Sequence, residues 1–285
     1  MKILVTGVKG QLGYDICHIL SERGIENRGV DIEDFDITDE KAVKSYIESY
    51  APTAVIHCSA FTAVDRAEDE AELCTRVNAD GPKNIAEAAA AVGAKVMYIS
   101  TDYVFPGTGD RFYEPDDTTG PLSLYGKTKL MGEEAVRTTT HRHFIVRISW
   151  VFGKNGNNFV KTMLRLSETK TDLNVVCDQI GSPTYTKDLS LLLCDMIVTD
   201  RFGTYHATNE GTCSWAEYAA EIMRLAGKST VIHPIPTSEY PTRATRPLNS
   251  RMSKDKLEKN GFSRLPHWKD ALARYLKELD EAQKN

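Results

Sequence analysis

A tyrosine and a lysine four residues apart, Tyr125 and Lys129, form the pair in this sequence whose types and spacing could do chemistry. If the segment is helical, residues i and i+4 lie on the same face and can point into one cleft. A nearby ammonium favours the phenolate, which brings the pKa of the phenol closer to neutral pH. Tyr125 could then donate a proton to a carbonyl group that is being reduced. The alternative is a half-exposed face of an amphipathic helix.

Three glycines near the amino terminus supply a second functional pattern. Residues 2–6 form a short apolar run typical of a buried parallel strand, and Gly7, Gly10 and Gly13 follow it at once. Such glycines let the backbone turn tightly into a helix and approach a pyrophosphate, whose charge suits the helix amino terminus. An ordinary turn is the alternative, but the strand before and the helical pattern after the glycines favour dinucleotide binding.

Strand and helix patterns alternate through the first half of the chain. The predicted strands are 2–6, 26–31, 54–58, 95–100, 144–149 and 173–177. The predicted helices are 11–23, 39–49, 70–92, 124–138, 158–168, 187–198, 214–226 and 267–281. This order predicts an α/β fold with a doubly wound, Rossmann-like parallel sheet whose ligands bind beyond the carboxyl ends of the strands.

The second half of the chain lacks this regular alternation, and no linker separates it from the first half. We therefore expect a smaller C-terminal substrate domain that interleaves with the first domain. The expected dinucleotide-binding domain is 1–150, with 171–200 as a further part of it. The expected substrate-binding domain is 151–170 and 201–285.

Six further motifs occur in one order along the chain. They are Ser-Thr-Asp-Tyr-Val-Phe at 100–105, Tyr-Gly-Lys-Thr-Lys at 125–129, Ser-Trp-Val-Phe at 149–152, Gly-Asn-Asn-Phe at 156–159, Gly-Ser-Pro-Thr at 181–184 and Arg-Pro-Leu-Asn-Ser-Arg at 246–251. With the Gly-x-x-Gly-x-x-Gly spacing, they resemble the dTDP-4-dehydrorhamnose reductases of the extended short-chain dehydrogenase/reductase superfamily. The resemblance covers nearly the whole chain. It implies reduction of the 4-keto group of dTDP-4-dehydro-L-rhamnose to dTDP-L-rhamnose, with hydride from NAD(P)H.

The expected catalytic residues are Thr101, Tyr125 and Lys129. Thr101 follows an apolar strand at the ligand-binding edge of the sheet, where its hydroxyl can donate to the carbonyl oxygen beside Tyr125. By resemblance, Lys129 lowers the pKa of Tyr125 and bonds the nicotinamide ribose. The expected cofactor-binding residues are Gly7, Gly10, Gln11, Leu12, Gly13, Asp31, Asp36, Ile37, Ala60, Phe61, Thr62, Tyr125 and Lys129. For Asp36 a helix cap or a turn is an equal alternative.

The expected substrate-binding residues follow from the same resemblance. They are Thr62, Val64, Asp102, Tyr103, Trp150, Asn158, Phe159, Arg246 and Asn249. Tyr103 and Trp150 are expected to pack on the sugar, although aromatic residues after strands also serve as core. The thymidine diphosphate is expected to be held by Asn158, Phe159, Arg246 and Asn249. Among them, arginine is suited to bidentate contacts with phosphate. A plain surface arginine is the alternative for Arg246.

The sequence leaves the choice between NADH and NADPH open. Asp31 ends the second predicted strand, where a carboxylate can bond the ribose hydroxyls and repel a 2′-phosphate. Lys9 lies inside the glycine loop and Arg28 lies near Asp31, and either could meet that phosphate. We expect NADPH or NADH as cofactor, with a slight preference for NADPH.

Composition limits the partners. The net charge of −5 among 285 residues gives no basic field, so nucleic acid and anionic membranes are not expected partners. The apolar runs are too short to span a bilayer, and a strand from residue 2 leaves no room for a signal peptide. Six scattered cysteines indicate core thiols of a cytoplasmic protein.

A metal is not expected. Some members of the similar family join two chains through carboxylate-bound magnesium. This sequence has Asp15, but Lys187 stands near the place of a second ligand. We therefore expect a monomer or a weak homodimer.

Two other functions remain open. A non-catalytic regulatory subunit, similar to that of methionine adenosyltransferase, would need the glycine loop but not Thr101, Tyr125 and Lys129. A reductase or epimerase of another nucleotide sugar would keep the same chemistry. The related 4,6-dehydratases carry Thr-Asp-Glu where this chain has Thr101-Asp102-Tyr103, and the missing carboxyl favours simple reduction.

Overall fold

The structure, a computed structural model, contains a central parallel sheet and a smaller second lobe. The core of the second lobe contains Phe152, Val160, Tyr218, Trp268 and Tyr275. It describes the backbone of residues 1–284 and the side chains of residues 1–282, so Asn285 of the predicted second domain lies outside the described residues. The strands are β1 Lys2–Thr6, β2 Glu26–Val30, β3 Ala54–His57, β4 Lys95–Thr101, β5 His143–Ile148, β6 Val151–Phe152, β7 Asp172–Val176, β8 Ile180–Gly181, β9 Thr184–Tyr185, β10 Gly203–His206, β11 Asn209–Glu210, β12 Cys213–Ser214, β13 Val231–Ile235 and β14 Leu265–His267.

The helices are distributed between the two faces of the sheet and the second lobe. They are α1 Gln11–Glu22, α2 Glu40–Tyr50, α3 Val64–Ala67, α4 Ala71–Thr75, α5 Gly81–Ala91, α6 Leu124–Thr139, α7 Phe159–Ser167, α8 Thr186–Ile197, α9 Trp215–Leu225, α10 Asp255–Lys259 and α11 Trp268–Lys284. Among the described residues, no helix is both long enough and apolar enough to cross a membrane.

The six-stranded sheet has the order β10-β5-β4-β3-β1-β2, and all of its neighbouring strands are parallel. The chain passes from β1 outward to β2 and then returns to place β3 on the other side of β1. Ligands of open α/β sheets bind at such a switch point, outside the carboxyl ends of the strands. The predicted doubly wound α/β fold is confirmed.

Alternating strand residues fill two cores, one on each face of the sheet. Ile3 and Val5 of β1 pack with α1 and α8, whereas Leu4 packs on the opposite face with α2 and α5. Because helices cover both faces, the inner strands β3 and β4 are buried at every position, whereas the edge strand β2 carries exposed polar residues. This burial holds the carboxyl ends of the strands at one rigid edge.

The helix predicted over 70–92 is divided. Residues Arg76–Asp80 form a π-helical turn between α4 and α5. Pro82 has no amide hydrogen for the carbonyl of Asn78, four residues earlier, and that carbonyl accepts from the hydroxyl of Tyr98 at 3.4 Å instead. Proline therefore explains why the regular α-helical bonding is interrupted here.

Two strands of the second half differ from the sequence prediction. The segment 203–206, which was not predicted as a strand, forms β10 and completes the central sheet beside β5. The predicted strand near 173–177 forms β7 and pairs with β13 in the second lobe rather than with the central sheet. Within 171–200, α8 packs on α1 as expected for the first domain, but β7 packs with α7, α9 and α11. The domain division as a whole stays a prediction.

Candidate active site

A cleft of about 760 Å³ lies at the carboxyl edge of the central sheet. Its walls come from the loops that follow β1, β2, β3 and β4, from the start of α6, and from residues of the second lobe. Both lobes therefore contribute to one cavity beside the switch point, which is the usual place for a ligand in this type of fold.

The loop between β1 and α1 has no room for side chains at two of its glycines. Gly7 has a φ of 72°, and a Cβ there would lie 2.8 Å from the amide nitrogen of Ser59. A Cβ on Gly13 would lie 2.8 Å from the carbonyl carbon of Gly7. Helix α1 begins without a side-chain cap, so its first N–H groups can serve an anion. The loop fits a pyrophosphate, and these predicted residues line the cleft: Gly7, Gly10, Gln11, Leu12 and Gly13.

The loop after β2 also reaches the cleft. Its predicted cofactor residues there are Asp31, Asp36 and Ile37. Both carboxylate oxygens of Asp31 accept backbone N–H groups, from Lys9 and Ile32, at 2.9 Å each. Asp36 accepts the N–H of Thr38 at 2.8 Å, so it is a turn residue as well as part of the cleft lining.

The loop after β3 is held by a side chain that sequence reasoning missed. Ala60 and Thr62 line the cleft, as predicted, but Phe61 does not. Instead, the buried amide of Asn78 accepts the N–H of Phe61 at 2.8 Å and donates to its carbonyl at 3.1 Å. Asn78 also donates to Thr128 on α6 at 3.3 Å. One side chain therefore joins the cofactor loop to the helix that carries Tyr125, and no spacing pattern identifies it.

Tyr125 and Lys129 lie on α6, as the spacing predicted, and both line the cleft. Ser123 caps this helix by accepting the N–H of Gly126 at 3.2 Å, which fixes its start beside the end of β4. The ammonium of Lys129 donates to the carbonyl of Ile99 at 2.7 Å. The two candidate catalytic side chains are thus brought together at the sheet edge.

The electrostatics of this pair differ from the prediction. Burial raises the pKa of Tyr125 above its ordinary value, and a hydrogen bond with Thr101 opposes the rise only in part. Burial lowers the pKa of Lys129 to about 7, although Glu133 acts in the other direction. Desolvation disfavours both charged forms, so the expected lowering of the Tyr125 pKa by Lys129 is not observed. A phenol that keeps its proton remains a suitable acid.

Thr101 belongs to a buried hydroxyl and carboxyl network. Its hydroxyl donates to Asp102 at 2.9 Å, and donation from Thr101 to a substrate carbonyl stays a prediction. The other carboxylate oxygen of Asp102 accepts from the hydroxyl of Ser250 in the second lobe. Burial raises the pKa of Asp102 to about 6, whereas the bonds from Ser250 and Thr101 act to lower it. The network links the edge of β4 to the segment that follows β13.

Aromatic rings form another part of the cleft lining. Tyr103 and Tyr125 meet edge to face with ring centroids 5.4 Å apart. Trp150 has a φ of 49° and stacks on Trp215 with centroids 3.8 Å apart, and both rings line the cleft. Thr62, Val64, Asp102 and Tyr103 line it as well, as predicted. Sequence reasoning missed Trp215, because it opens α9 at a distance of 65 positions from Trp150.

Two of the residues predicted to hold the thymidine diphosphate, Asn158 and Phe159, are used elsewhere. Asn158 caps α7, and its amide also donates to Gln11 at 2.9 Å and to the hydroxyl of Tyr275 at 3.0 Å. The ring of Phe159 packs 4.6 Å from that of Trp215 in the core of the second lobe. Neither residue is part of the cleft lining, because these partners occupy their side chains.

Arg246 and Asn249, which were predicted to hold the thymidine diphosphate, are not part of the cleft lining either. Arg246 donates to Asp65 at 2.7 Å and hydrogen-bonds Tyr103, whereas its buried Nη1 has no hydrogen-bond partner among the described residues. Asn249 is 1% exposed and donates to the carbonyl of Arg111 at 2.8 Å. Asn249 supports a surface loop, and Arg246 contacts Tyr103 of the cleft lining.

The first helix does not show a metal site. Asp15 accepts from the hydroxyl of Thr186, and burial raises its pKa. Among the described residues, no group of three or more histidine, cysteine, aspartate or glutamate side chains is placed to hold a metal ion. That a metal is not needed stays a prediction.

Comparison with known proteins agrees with this geometry. The chain is 42% identical to the spore coat polysaccharide biosynthesis protein SpsK of Bacillus subtilis, over 99% of each chain. The structure of a dTDP-4-dehydrorhamnose reductase from Clostridium acetobutylicum superposes with a TM-score of 0.96, at 42% identity, and covers 98% of this chain and 100% of the other.

A reductase of the same name from Bacillus anthracis was solved in complex with NADP. It superposes with a TM-score of 0.95 at 41% identity, over 98% of this chain and 100% of the other. The sequence model of the RmlD substrate binding domain matches residues 1–281, nearly the whole chain. On this match, together with the glycine loop and the Tyr125–Lys129 pair, the chain belongs to the RmlD substrate binding domain family.

Proposed function

We propose that this chain reduces the 4-keto group of dTDP-4-dehydro-L-rhamnose to dTDP-L-rhamnose, with NAD(P)H as the reductant. The observation that carries the proposal is the position of Tyr125, hydrogen-bonded with Thr101 in the cleft that also contains the glycine loop. Membership of the family, and relatives named dTDP-4-dehydrorhamnose reductase at 39% identity, support the choice of sugar.

The proposed catalytic residues are Thr101, Tyr125 and Lys129. A reduced nicotinamide supplies the hydride when it is bound. The phenol of Tyr125, whose pKa is raised by burial, keeps its proton until the carbonyl oxygen gains negative charge and can accept it. Thr101 holds that oxygen near the phenol when its hydroxyl turns away from Asp102. Lys129, whose pKa is about 7, can return a proton to the tyrosinate near neutral pH.

The proposed binding residues divide along the cleft. The cofactor is assigned to the residues after β1 and β2, and to Ala60, Thr62, Tyr125 and Lys129. The sugar is assigned to Thr62, Val64, Asp102, Tyr103 and Trp150, with Trp215 as an addition. Phe61, Asn158, Phe159 and Asn249 are not assigned to direct contacts, because other partners use them. Arg246 stays assigned to the thymidine diphosphate, because its buried Nη1 has no hydrogen-bond partner among the described residues.

The cellular location, the assembly state and the partners of the enzyme are proposals as well. We propose a cytoplasmic protein, supported by six free cysteines in the structure, since reducing compartments keep thiols unpaired. We also propose a monomer or weak homodimer without a nucleic-acid or membrane partner, supported by the net charge of −5.

The test is the oxidation of NADH or NADPH by the purified chain. The sugar is dTDP-4-keto-6-deoxyglucose with a 3,5-epimerase added. We expect sugar-dependent turnover that falls by about 10²- to 10⁴-fold in Tyr125→Phe, because only the proton donor is lost. Tyr240→Phe, at a tyrosine that is 54% exposed, is the matched control and should retain full turnover.

Each outcome has a distinct meaning. Retained turnover in Tyr125→Phe would refute the assignment of the proton donor. Cofactor binding without turnover of this sugar would contradict the proposed substrate and favour another nucleotide sugar. If no nucleotide-linked keto sugar is reduced, the non-catalytic regulatory function becomes the better interpretation.

A further inference from the structure

The end of the cleft that would take the adenosine ribose is acidic. Among the described residues that line the cleft, only Lys9 and Lys129 have cationic side chains. Lys129 lies at the other end, beside Tyr125, and donates to the carbonyl of Ile99. Lys9 is therefore the one lining residue whose ammonium could meet a phosphate on the ribose 2′-oxygen.

The ammonium of Lys9 is already paired. It donates to the carboxylate of Glu33, which lies two residues beyond Asp31 on the same loop. Asp31 and Asp34 also act on Lys9 as nearby negative charges. Three carboxylates thus surround one ammonium, and the local charge is negative even after the ion pair is counted.

The second candidate cation does not reach this place. Arg28 belongs to β2, and its guanidinium lies 4.7 Å from the ring centroid of Tyr50 on α2. Residue 28 is paired with Leu4, whose side chain lies on the α2 and α5 face of the sheet. Because α1 and the glycine loop lie on the opposite face, Arg28 cannot compensate for the three carboxylates.

We propose that this chain selects NADH over NADPH, with Asp31 and Glu33 as the selecting residues. The inference rests on the proposed function and reverses the slight preference for NADPH that the sequence favoured. The carboxylate of Asp31 is held by two backbone N–H groups and can accept from ribose hydroxyls. A 2′-phosphate would meet the charge of Asp31, and Glu33, beside the cleft lining, competes with that phosphate for the ammonium of Lys9.

The test measures binding rather than turnover, so it does not depend on the sugar. ADP-ribose and 2′-phospho-ADP-ribose are titrated separately into the full chain by calorimetry at low salt. We expect ADP-ribose to bind at least about tenfold more tightly. In Glu33→Gln, Lys9 becomes available to the phosphate, and the ratio of the two affinities should shift toward the phosphorylated ligand by about two- to fivefold, because the Lys9–Glu33 pair is exposed.

A second variant separates charge from structure. Lys9→Gln removes the one cation at this end of the cleft among the described lining residues, and it should shift the ratio in the opposite direction from Glu33→Gln. If the ion pair merely stabilised the loop, both variants would shift the ratio in the same way. Glu26→Gln, at the other end of β2 and 3.8 Å from Lys2, is the matched control and should leave the ratio unchanged.

Tighter binding of 2′-phospho-ADP-ribose by the unmodified chain would overturn the inference. So would a ratio that stays constant in Glu33→Gln. If the ratios follow the expectation but no dTDP-sugar is reduced, the inference stands and the proposed substrate fails. If neither nucleotide binds, the inference and the proposed function fail together.

Discussion

Replacement of Asp102 by asparagine should make the protein more stable above about pH 4, with the full gain above pH 6. Asp102 is 2% exposed, and burial raises the pKa of its carboxyl from 3.8 to about 6. A folded-state pKa above the unfolded value means that ionisation of this group opposes folding. Below about pH 3 the carboxyl is protonated in both states and costs nothing; the cost grows between about pH 4 and pH 6 and is complete at higher pH.

The size of the effect follows from the pKa values. Each pKa unit corresponds to about 1.4 kcal/mol, so the rise to about 6 costs about 3 kcal/mol at pH 8. At pH 5 the folded carboxyl is mostly protonated, and the cost falls to about 1.5 kcal/mol. Asparagine removes this charge and keeps hydrogen-bond partners, because the hydroxyls of Thr101 and Ser250 can accept as well as donate. The free energy of unfolding of Asp102→Asn should therefore exceed that of the unmodified chain by these amounts.

The assay is urea unfolding at pH 5 and pH 8, followed by tryptophan fluorescence. Asp116→Asn is the control, because the Asp116 side chain is 88% exposed and its replacement should change stability by less than about 0.5 kcal/mol. An Asp102→Asn chain that is no more stable at pH 8 would refute the reasoning. A gain of equal size at both pH values would refute it too, because the gain would then not come from ionisation of this carboxyl.

Two further predictions concern the wall of the cleft and the buried ion pair beneath it. Trp215→Ala removes the ring stacked on Trp150, so the KM for the sugar should rise about tenfold with a smaller change in kcat. Steady-state kinetics at saturating cofactor measures both, and an unchanged KM would remove Trp215 from the sugar site. Glu133→Ala leaves Arg147, bonded to it at 2.7 Å and 2.8 Å, as an unpaired buried charge, so the free energy of unfolding should fall by about 3–5 kcal/mol. The exposed neighbour Glu134→Ala should lose far less in the same urea experiment, and equal losses would contradict a special role for the buried pair.

The local part of the site was predictable because it depends on residues close in sequence. The glycine spacing requires the turn after β1, and a Cβ at Gly7 would meet the backbone of Ser59. The i, i+4 spacing places Tyr125 and Lys129 on one face of α6. The alternation of apolar strands and helices predicts the doubly wound sheet, and with it the edge where Thr101 lies.

The contacts between distant segments were not predictable in the same way. Asn158 was expected at the nucleotide, but it caps α7 and binds Gln11 and Tyr275. Trp215 was not expected at the cleft, because nothing near it in sequence shows that Trp150 will stack on it.

By itself, the sequence determined the fold class, the dinucleotide loop and the catalytic helix, because each rests on a periodicity or a spacing within a few turns of chain. Only the tertiary structure decided which distant side chains share the cleft and what charge each carries. Burial keeps the Tyr125 phenol protonated and lowers the pKa of Lys129 to about 7, against the effect expected from their spacing. Desolvation depends on everything that surrounds a group, and that environment exists only after segments distant in sequence have packed around it.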